Sequence, residues 1–158
     1  MPTFFWAPRP PEQANALREA GLTPEPAARR WLFVYGELYR QNAAALAAQP
    51  LQEIHDLGDG AIIVRFRKQS HGVPVFRDTL NVVMTRGLQL VALSGYLSPH
   101  EENADFPLAA PTAISLARQD ATGEWIPPTD VRGLQQVHGG WERFVGAGPA
   151  RARKVLFP

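Results

Sequence analysis

Residues 61–97 alternate between two kinds of side chain, and this period of two constrains the fold more than any other feature. Every second residue from Ile62 to Phe66 suits a buried face, whereas Arg65 and Arg67 suit the opposite, solvated face. Two more strands are predicted over 75–84 and 88–97, the last of them apolar on both faces. The pattern predicts a short antiparallel sheet with one covered face.

The first hairpin of this sheet is predicted from the parity of its apolar residues. A two-residue loop, His71-Gly72, places Phe66 opposite Arg77, whereas a three-residue loop, Ser70-His71-Gly72, places it opposite Phe76. The apolar pairing favours the longer loop, with Ile62 opposite Leu80, and Gly72 suits the left-handed position at its end. His71 is interpreted as a turn residue, because histidine tolerates left-handed geometry better than most residues do.

A long helix is predicted before the sheet, over 24–48, with Thr23 as its cap, Pro24 in its first turn and Pro50 beyond its end. Its stripe at spacings of three and four, interrupted by one polar residue, is Trp31, Tyr35, Leu38, Tyr39, Asn42 and Leu46. The helix should lie across the Ile62, Val64 and Phe66 face. The predicted fold class is therefore α+β, a long helix packed on an antiparallel sheet, followed by a small second α/β unit.

The N-terminal segment, 1–22, is predicted to be an arm followed by a short helix. Four prolines among residues 1–11 exclude a helix there, and Glu12–Ala20 reads as a helix that ends at Gly21. The arm carries Phe4, Phe5 and Trp6, which favour burial. Two interpretations are open: the arm packs on its own domain, or it docks on a partner.

Beyond Pro99 the character of the chain changes. Residues 100–105 are predicted to be a linker, and Pro111–Ala121 a helix with Ile114 and Ala117 inward and Gly123 as its end. A loop over 124–135 and strands over Val137–Val145 and Ala152–Phe157 are predicted to follow. Because the chain ends on an apolar strand, we expect a processed or truncated product.

Composition narrows the function classes. The chain has 158 residues, no cysteine and a net charge of about +1. Without cysteine, disulfides and cysteine zinc sites are excluded. A net charge near zero gives no strong positive electrostatic field that would attract nucleic acid or acidic membranes. No apolar run approaches the about 20 residues of a membrane span, and the N-terminus lacks the pattern of a signal peptide. Either the protein is cytoplasmic or a signal has been removed.

No catalytic motif is found in the sequence. The four histidines are not paired at ligand spacing, and His100-Glu101 has Ala104 where a zinc-protease helix carries its second histidine. The Arg65, Arg67 and Lys68 stripe lacks interleaved aromatic residues, so it is interpreted as a solvated face rather than a nucleic-acid site. The chain is predicted to be no enzyme and to bind no cofactor or metal.

Residues 60–97 resemble the fungalysin/thermolysin propeptide module, which shows an R-F-x-Q stretch, a G-V-P-V-F stretch, an L-N-V strand and a G-x-L-V-x-x-x-G strand. The chain departs from this pattern at Lys68, where glutamine is expected, and at Arg77, where glycine is common. With Arg67, these two residues are candidate partner contacts. The residues that fall on the pattern are Arg65, Phe66, Gly72, Val73, Pro74, Val75, Phe76, Leu80, Val82, Leu90 and Gly95.

The resemblance implies a propeptide-like domain over 23–99 and a partial PepSY-like region over 106–158. It implies the proregion of a secreted or periplasmic zinc metallopeptidase precursor, which acts as intramolecular chaperone and inhibitor. The partner is then the cognate catalytic domain, which holds the zinc; neither nucleic acid nor membrane is expected to bind. The alternative is a free-standing, non-catalytic protein-binding module of the same fold.

Overall fold

A computed structural model describes residues 3–8, 21–98 and 105–156. These residues form two compact units, and the division lies between 102 and 103. No helix among the described residues has both the length and the apolar character needed to cross a membrane.

The first unit is built on a five-stranded antiparallel sheet, which confirms a mixed α+β fold. Its strands lie in the order β1-β5-β4-β3-β2, so the two outermost strands are those the sequence analysis did not assign. β1 is the N-terminal arm, which therefore belongs to the sheet. The strands are β1 (Phe4–Trp6), β2 (Leu51–His55), β3 (Ile62–Ser70), β4 (Val73–Met84) and β5 (Leu90–Tyr96).

The long helix predicted over 24–48 is wrong, because the segment breaks into three pieces. These are α1 (Pro24–Tyr35), a 3-10 turn (Gly36–Tyr39) and α2 (Ala43–Ala47). Arg40 adopts a left-handed φ of 52° after the 3-10 turn. The Asn42 side chain then accepts hydrogen bonds from the backbone N–H groups of residues 44 and 45, so the polar break in the stripe is the N-cap of a new helix. The short helix predicted over Glu12–Ala20 lies outside the described residues.

The core lies between these helices and one face of the sheet, as predicted for Ile62, Val64 and Phe66. The helical side of this core differs from the predicted stripe, because Leu38 is exposed and Trp31 and Tyr35 are only half-buried. Trp31 donates its indole N–H to the carbonyl of Leu88 at 2.9 Å. The fully buried helical residues are Ala27, Ala28, Leu32, Tyr39 and Leu46.

The hairpin of β3 and β4 has a different register from the prediction. Its loop is the two-residue turn His71-Gly72, with both residues at positive φ, so the turn roles of both are right and the three-residue loop is wrong. Phe66 lies opposite Leu80, not Phe76, and Ile62 opposite Met84. The cause is a bulge in β4, where the four residues 75–78 face Lys68 alone. Because β4 thus carries three more residues than β3 at this point, Phe66 lies opposite an apolar residue although the loop has two residues.

The second unit packs one helix and a three-stranded antiparallel sheet around a small core. Its helix, α3 (Ala110–Thr122), ends at Gly123 in left-handed geometry, as predicted. Ile114 packs on the core as predicted, whereas Ala117 is exposed, so its inward placement is wrong. The other elements are a 3-10 turn (Pro128–Asp130), β6 (Arg132–Val137), a 3-10 turn (His138–Gly140), β7 (Trp141–Val145) and β8 (Ala150–Ala152).

The strand prediction for this unit is wrong in its boundaries. A single strand was expected over Val137–Val145, but residues 138–140 form the turn of a hairpin. Val137 ends the first strand of this hairpin, and Trp141–Val145 is its second strand. The loop expected over 124–135 already contains the start of β6, and β8 is shorter than the strand predicted over Ala152–Phe157. The glycines at 139 and 140, both at positive φ, form the turn, so the chain reverses direction within the predicted strand.

Candidate protein-binding face

The described helices of the first unit pack on one face of its sheet, and we call the opposite face the outer face. Side chains directly opposite one another on neighbouring antiparallel strands share a face, so the strand register defines its members. Three cross-strand rows run over it: one is polar, one is largely apolar, and a third contains Arg67, Thr79 and Tyr96. Five strands spaced about 4.8 Å apart give this face a width of about 20 Å.

The polar row is a chain of hydrogen bonds across four strands. Arg65 donates to Glu53 at 2.5 Å and to the Asn81 side-chain oxygen at 2.8 Å. Asn81 in turn donates to the Ser94 hydroxyl at 3.2 Å. Phe4 lies opposite Ser94 and ends the row at the β1 edge. The charge of Arg65 is thus paired within the sheet, and the row presents an ordered but nearly neutral polar surface.

The apolar row contains Trp6, Ala92, Val83 and Ile63, and it ends at His55 on the opposite edge. Trp6 is 68% exposed and Phe4 is 47% exposed, and their rings contact edge-to-face with centroids 5.0 Å apart. Phe5, between them, points to the core and packs on Tyr35. The arm therefore packs one of its three aromatic side chains against the core and exposes the other two.

The bulge of β4 places a second aromatic–cationic pair on the surface. Phe76 is 38% exposed, and the Arg77 guanidinium lies 5.2 Å from the centre of its ring. Arg77 adopts a φ of 61°, so glycine, which is common at this position in the propeptide pattern, would fit this backbone without strain.

Behind the bulge lies a buried polar cluster. The Lys68 ammonium donates to the Ser98 hydroxyl at 2.7 Å, and the Ser98 backbone N–H donates to Asp78 at 2.8 Å. All three residues are less than a tenth exposed. Because buried charges need partners, this cluster fixes the hairpin tip to the end of β5. Lys68 is thus buried, Arg67 half-buried and Arg77 exposed, although all three were predicted as candidate partner contacts.

The residues of the propeptide-like pattern are mostly structural. Gly72 occupies the hairpin turn, and Val73 and Pro74 begin β4 beside it. Gly95 has a φ of 102°, and a β-carbon there would lie 2.2 Å from the Thr79 carbonyl oxygen, so only glycine fits. Of the pattern residues, Gly72 and Phe76 are exposed and Arg65 is half-buried on the outer face, and the buried ones are Phe66, Val75, Leu80, Val82 and Leu90.

An open hollow of about 560 Å³ lies at the end of this sheet where two turns meet. It is lined by Gly60, Ala61, Val91 and the turn over 85–87, and Arg86 in that turn forms an ion pair with Asp56. The lining carries no carboxylate or imidazole, so it offers no acid–base pair.

The described residues contain no group of three or more histidine, aspartate or glutamate side chains arranged to hold a metal ion. Burial raises the pKa of Tyr39, whose hydroxyl lies in the core without a hydrogen-bond partner among the described residues. What the geometry offers is contact area: exposed aromatic rings beside ordered polar groups, the composition typical of protein interfaces.

The outward position of Phe4 and Trp6 was missed by sequence reasoning, which treated the three aromatic residues as one group. The period of two, applied to Phe4-Phe5-Trp6, would have separated them, because adjacent strand residues point to opposite faces.

No protein-family model matches this chain, and a comparison with curated proteins finds no similar protein. The likeness to the propeptide module therefore rests on the short motifs in residues 60–97 alone.

Proposed function

We propose that the first unit is a non-catalytic protein-binding module, and that its partner is the catalytic domain of a thermolysin- or fungalysin-like zinc metallopeptidase. In this role it assists folding of the catalytic domain and holds it inactive within a secreted or periplasmic precursor. The observation that carries the binding role is the pair of exposed aromatic rings on the uncovered face of the sheet. The metallopeptidase is inferred from the propeptide-like motifs.

The outer face supports binding because its exposed residues are those that dominate interface energies. Tryptophan, tyrosine and arginine are enriched among residues whose truncation costs most affinity. Trp6 and Phe4 lie side by side, and Arg65 is held in one geometry by Glu53 and Asn81. A partner thus meets ordered side chains, and ordering them costs little additional entropy on binding.

The hairpin tip supports a second contact. Phe76 and Arg77 project from a bulge that is anchored from behind by Lys68, Asp78 and Ser98. An exposed aromatic side chain on a rigid bulge is suited to fill a pocket of a partner, as interface residues with large binding contributions commonly do.

The test uses a purified thermolysin-type catalytic domain as the probe. The full chain, added in trans at about micromolar concentration, should slow peptide hydrolysis and raise the recovery of activity on refolding. Trp6→Ala should weaken inhibition by about 2 kcal/mol or more, close to thirtyfold. Trp125→Ala is the matched control, since Trp125 is 48% exposed but lies in the second unit.

No inhibition and no gain in refolding would overturn the metallopeptidase assignment. The free-standing binding module would then be favoured, because the outer face would remain without a protease partner. A further observation separates the two: a reading frame that continues past Pro158 into an H-E-x-x-H helix favours the proregion.

A further inference from the structure

Four arginines without an acidic partner among the described residues lie on the face of the second sheet that is turned away from its core. The β6–β7–β8 register places Phe144 and its cross-strand neighbours against the core, so residues one position away lie on the opposite face. Three of these arginines are exposed and the fourth is half-buried. We call this surface the arginine face, and its basic residues are Arg132, Arg143, Arg151 and Arg153.

The pairing on this face is electrostatically unfavourable. Arg143 and Arg151 lie directly opposite each other on neighbouring strands, an arrangement in which like charges repel. Among the described residues, no carboxylate lies within ion-pair distance of either one. Glu142 points to the other side of the sheet, and Glu124 pairs with Arg118 at 2.7 Å. The isolated unit therefore bears a cost that an anionic partner would relieve.

From this arrangement we propose that the arginine face binds an acidic, extended segment of a partner protein. Carboxylates at alternate positions of an extended segment are about 7 Å apart and point to one side, a spacing that the long side chains of Arg143 and Arg151 on neighbouring strands can span. Guanidinium groups bind carboxylates through paired, parallel hydrogen bonds. This inference does not depend on the proposed function, which concerns the other unit.

Other anionic partners fit less well. Single-stranded nucleic acid binds where bases stack on open aromatic rings, but the Arg153 guanidinium lies over the Trp141 ring, 4.7 Å from its centre. The net charge of the chain, about +1, gives no long-range attraction to polyanions or anionic membranes. Short-range pairing with a few carboxylates needs no such field.

The test measures fluorescence anisotropy of a labelled peptide of about nine alternating glutamate and threonine residues, titrated with the full chain. The peptide with glutamine in place of glutamate is the negative control. We expect saturable binding that weakens as NaCl rises from about 50 to about 200 mM. Arg143→Gln combined with Arg151→Gln should lower affinity about tenfold, because two ion pairs are lost.

The matched control is Arg30→Gln combined with Arg40→Gln, which removes two exposed arginines from the first unit. It should leave peptide affinity within about twofold of wild type. Equal losses of peptide affinity in both double variants would show that only the net charge of the chain matters, and would overturn the proposal. Failure of the glutamate peptide to bind at about 100 µM would also overturn it.

Competing occupants have their own readouts. Single-stranded oligonucleotides and vesicles containing phosphatidylserine are tested alongside the peptide. If either binds more tightly than the peptide, the proposal is overturned and the face is assigned to that ligand. Dimerisation that the Arg143→Gln and Arg151→Gln variant abolishes, without peptide binding, would assign the face to a second copy. A melting temperature of the variant at or slightly above that of wild type shows that lost binding is not lost folding.

Discussion

The two sheets of this protein share a design but treat charge in opposite ways. Each packs one face on a core and leaves the other uncovered. On the first sheet Arg65 is bonded to Glu53 and Asn81, so its charge is compensated where it stands. On the second, Arg143 faces Arg151. The comparison separates a surface suited to apolar contact from one suited to an anionic ligand.

The cores differ as well. Among the described residues, the first core contains fifteen buried side chains and the second contains three, Val131, Phe144 and Ala147. Because burial supplies most of the stabilising free energy, the first unit should tolerate a given destabilisation better than the second. Repulsion between Arg143 and Arg151 therefore takes a larger share of the stability of the second unit than it would of the first. A role in binding an anionic partner explains why such a pair is found there.

The strongest way to test the difference in cores is a pair of glycine substitutions. In Gly95→Ala the new β-carbon would lie 2.2 Å from the Thr79 carbonyl oxygen, and in Gly146→Ala 1.8 Å from the Asp130 carbonyl oxygen. Each should lower the free energy of unfolding by about 3 kcal/mol or more. Gly146→Ala should unfold the second unit outright, whereas Gly95→Ala should leave the first unit folded but weaker.

Indole NMR signals report the two units separately, through Trp31 in the first and Trp141 in the second. The control is Gly60→Ala, where φ is 65° but no atom lies within 4 Å of the new β-carbon. It should cost about 1 kcal/mol, the strain of left-handed geometry alone. A first unit that unfolds as readily as the second would contradict the ranking by core size.

A smaller effect should distinguish the two cores by pH. Burial raises the pKa of Tyr39 above its ordinary value of about 10, because the neutral hydroxyl is favoured in the core. The unfolded chain then releases this proton first, so stability is complete below about pH 10 and is lost as pH rises through the folded pKa. The second core, Val131, Phe144 and Ala147, has no such group.

Tyr39→Phe should remove this contribution to alkaline unfolding. It should also raise the free energy of unfolding at neutral pH by about 1 kcal/mol, because the hydroxyl has no hydrogen-bond partner among the described residues. Denaturant titrations at about pH 7 and about pH 10.5 measure both effects. A variant that is less stable than wild type at neutral pH would show that the hydroxyl is bonded after all.

The smallest effect tests the charge contrast itself. Arg65→Gln should lower stability by about 0.5 kcal/mol, because it removes an ion pair that is partly exposed to solvent. Arg143→Gln should raise stability by about 0.3 kcal/mol, because it relieves repulsion from Arg151. Changes of the same sign in the two variants would remove the distinction between the compensated and uncompensated faces.

The sequence predicted the part of the fold that rests on repeated local signals. The alternation around Ile62 and Phe66 located the covered face, and Gly72 and Gly123 located a turn and a helix end. The helix over 24–48 was overextended because Asn42 was read as a gap in a stripe. Its side chain instead competes for backbone N–H groups and begins a new helix, which periodicity alone does not reveal.

Two features of the sites could not be read from the sequence. The register of Phe66 depends on a bulge in which the four residues 75–78 face Lys68 alone, and the strand pattern of β4 does not show how many residues face one another there. The arginine face depends on β6 and β8 as partners of β7, which brings Arg143 opposite a residue eight positions later. Both are consequences of pairing between strands, whereas the sequence pattern describes each strand alone.

The bulge in β4 also has a practical meaning for protein engineering. Since residues 75–78 already separate the pairing at the hairpin turn from the pairing of Phe66 with Leu80, the two registers are set independently. An insertion beside Phe76 and Arg77, the two exposed residues of the bulge, should lengthen the bulge without exchanging the two sides of the sheet. This hairpin is therefore suited to the grafting of recognition loops with either an odd or an even number of residues.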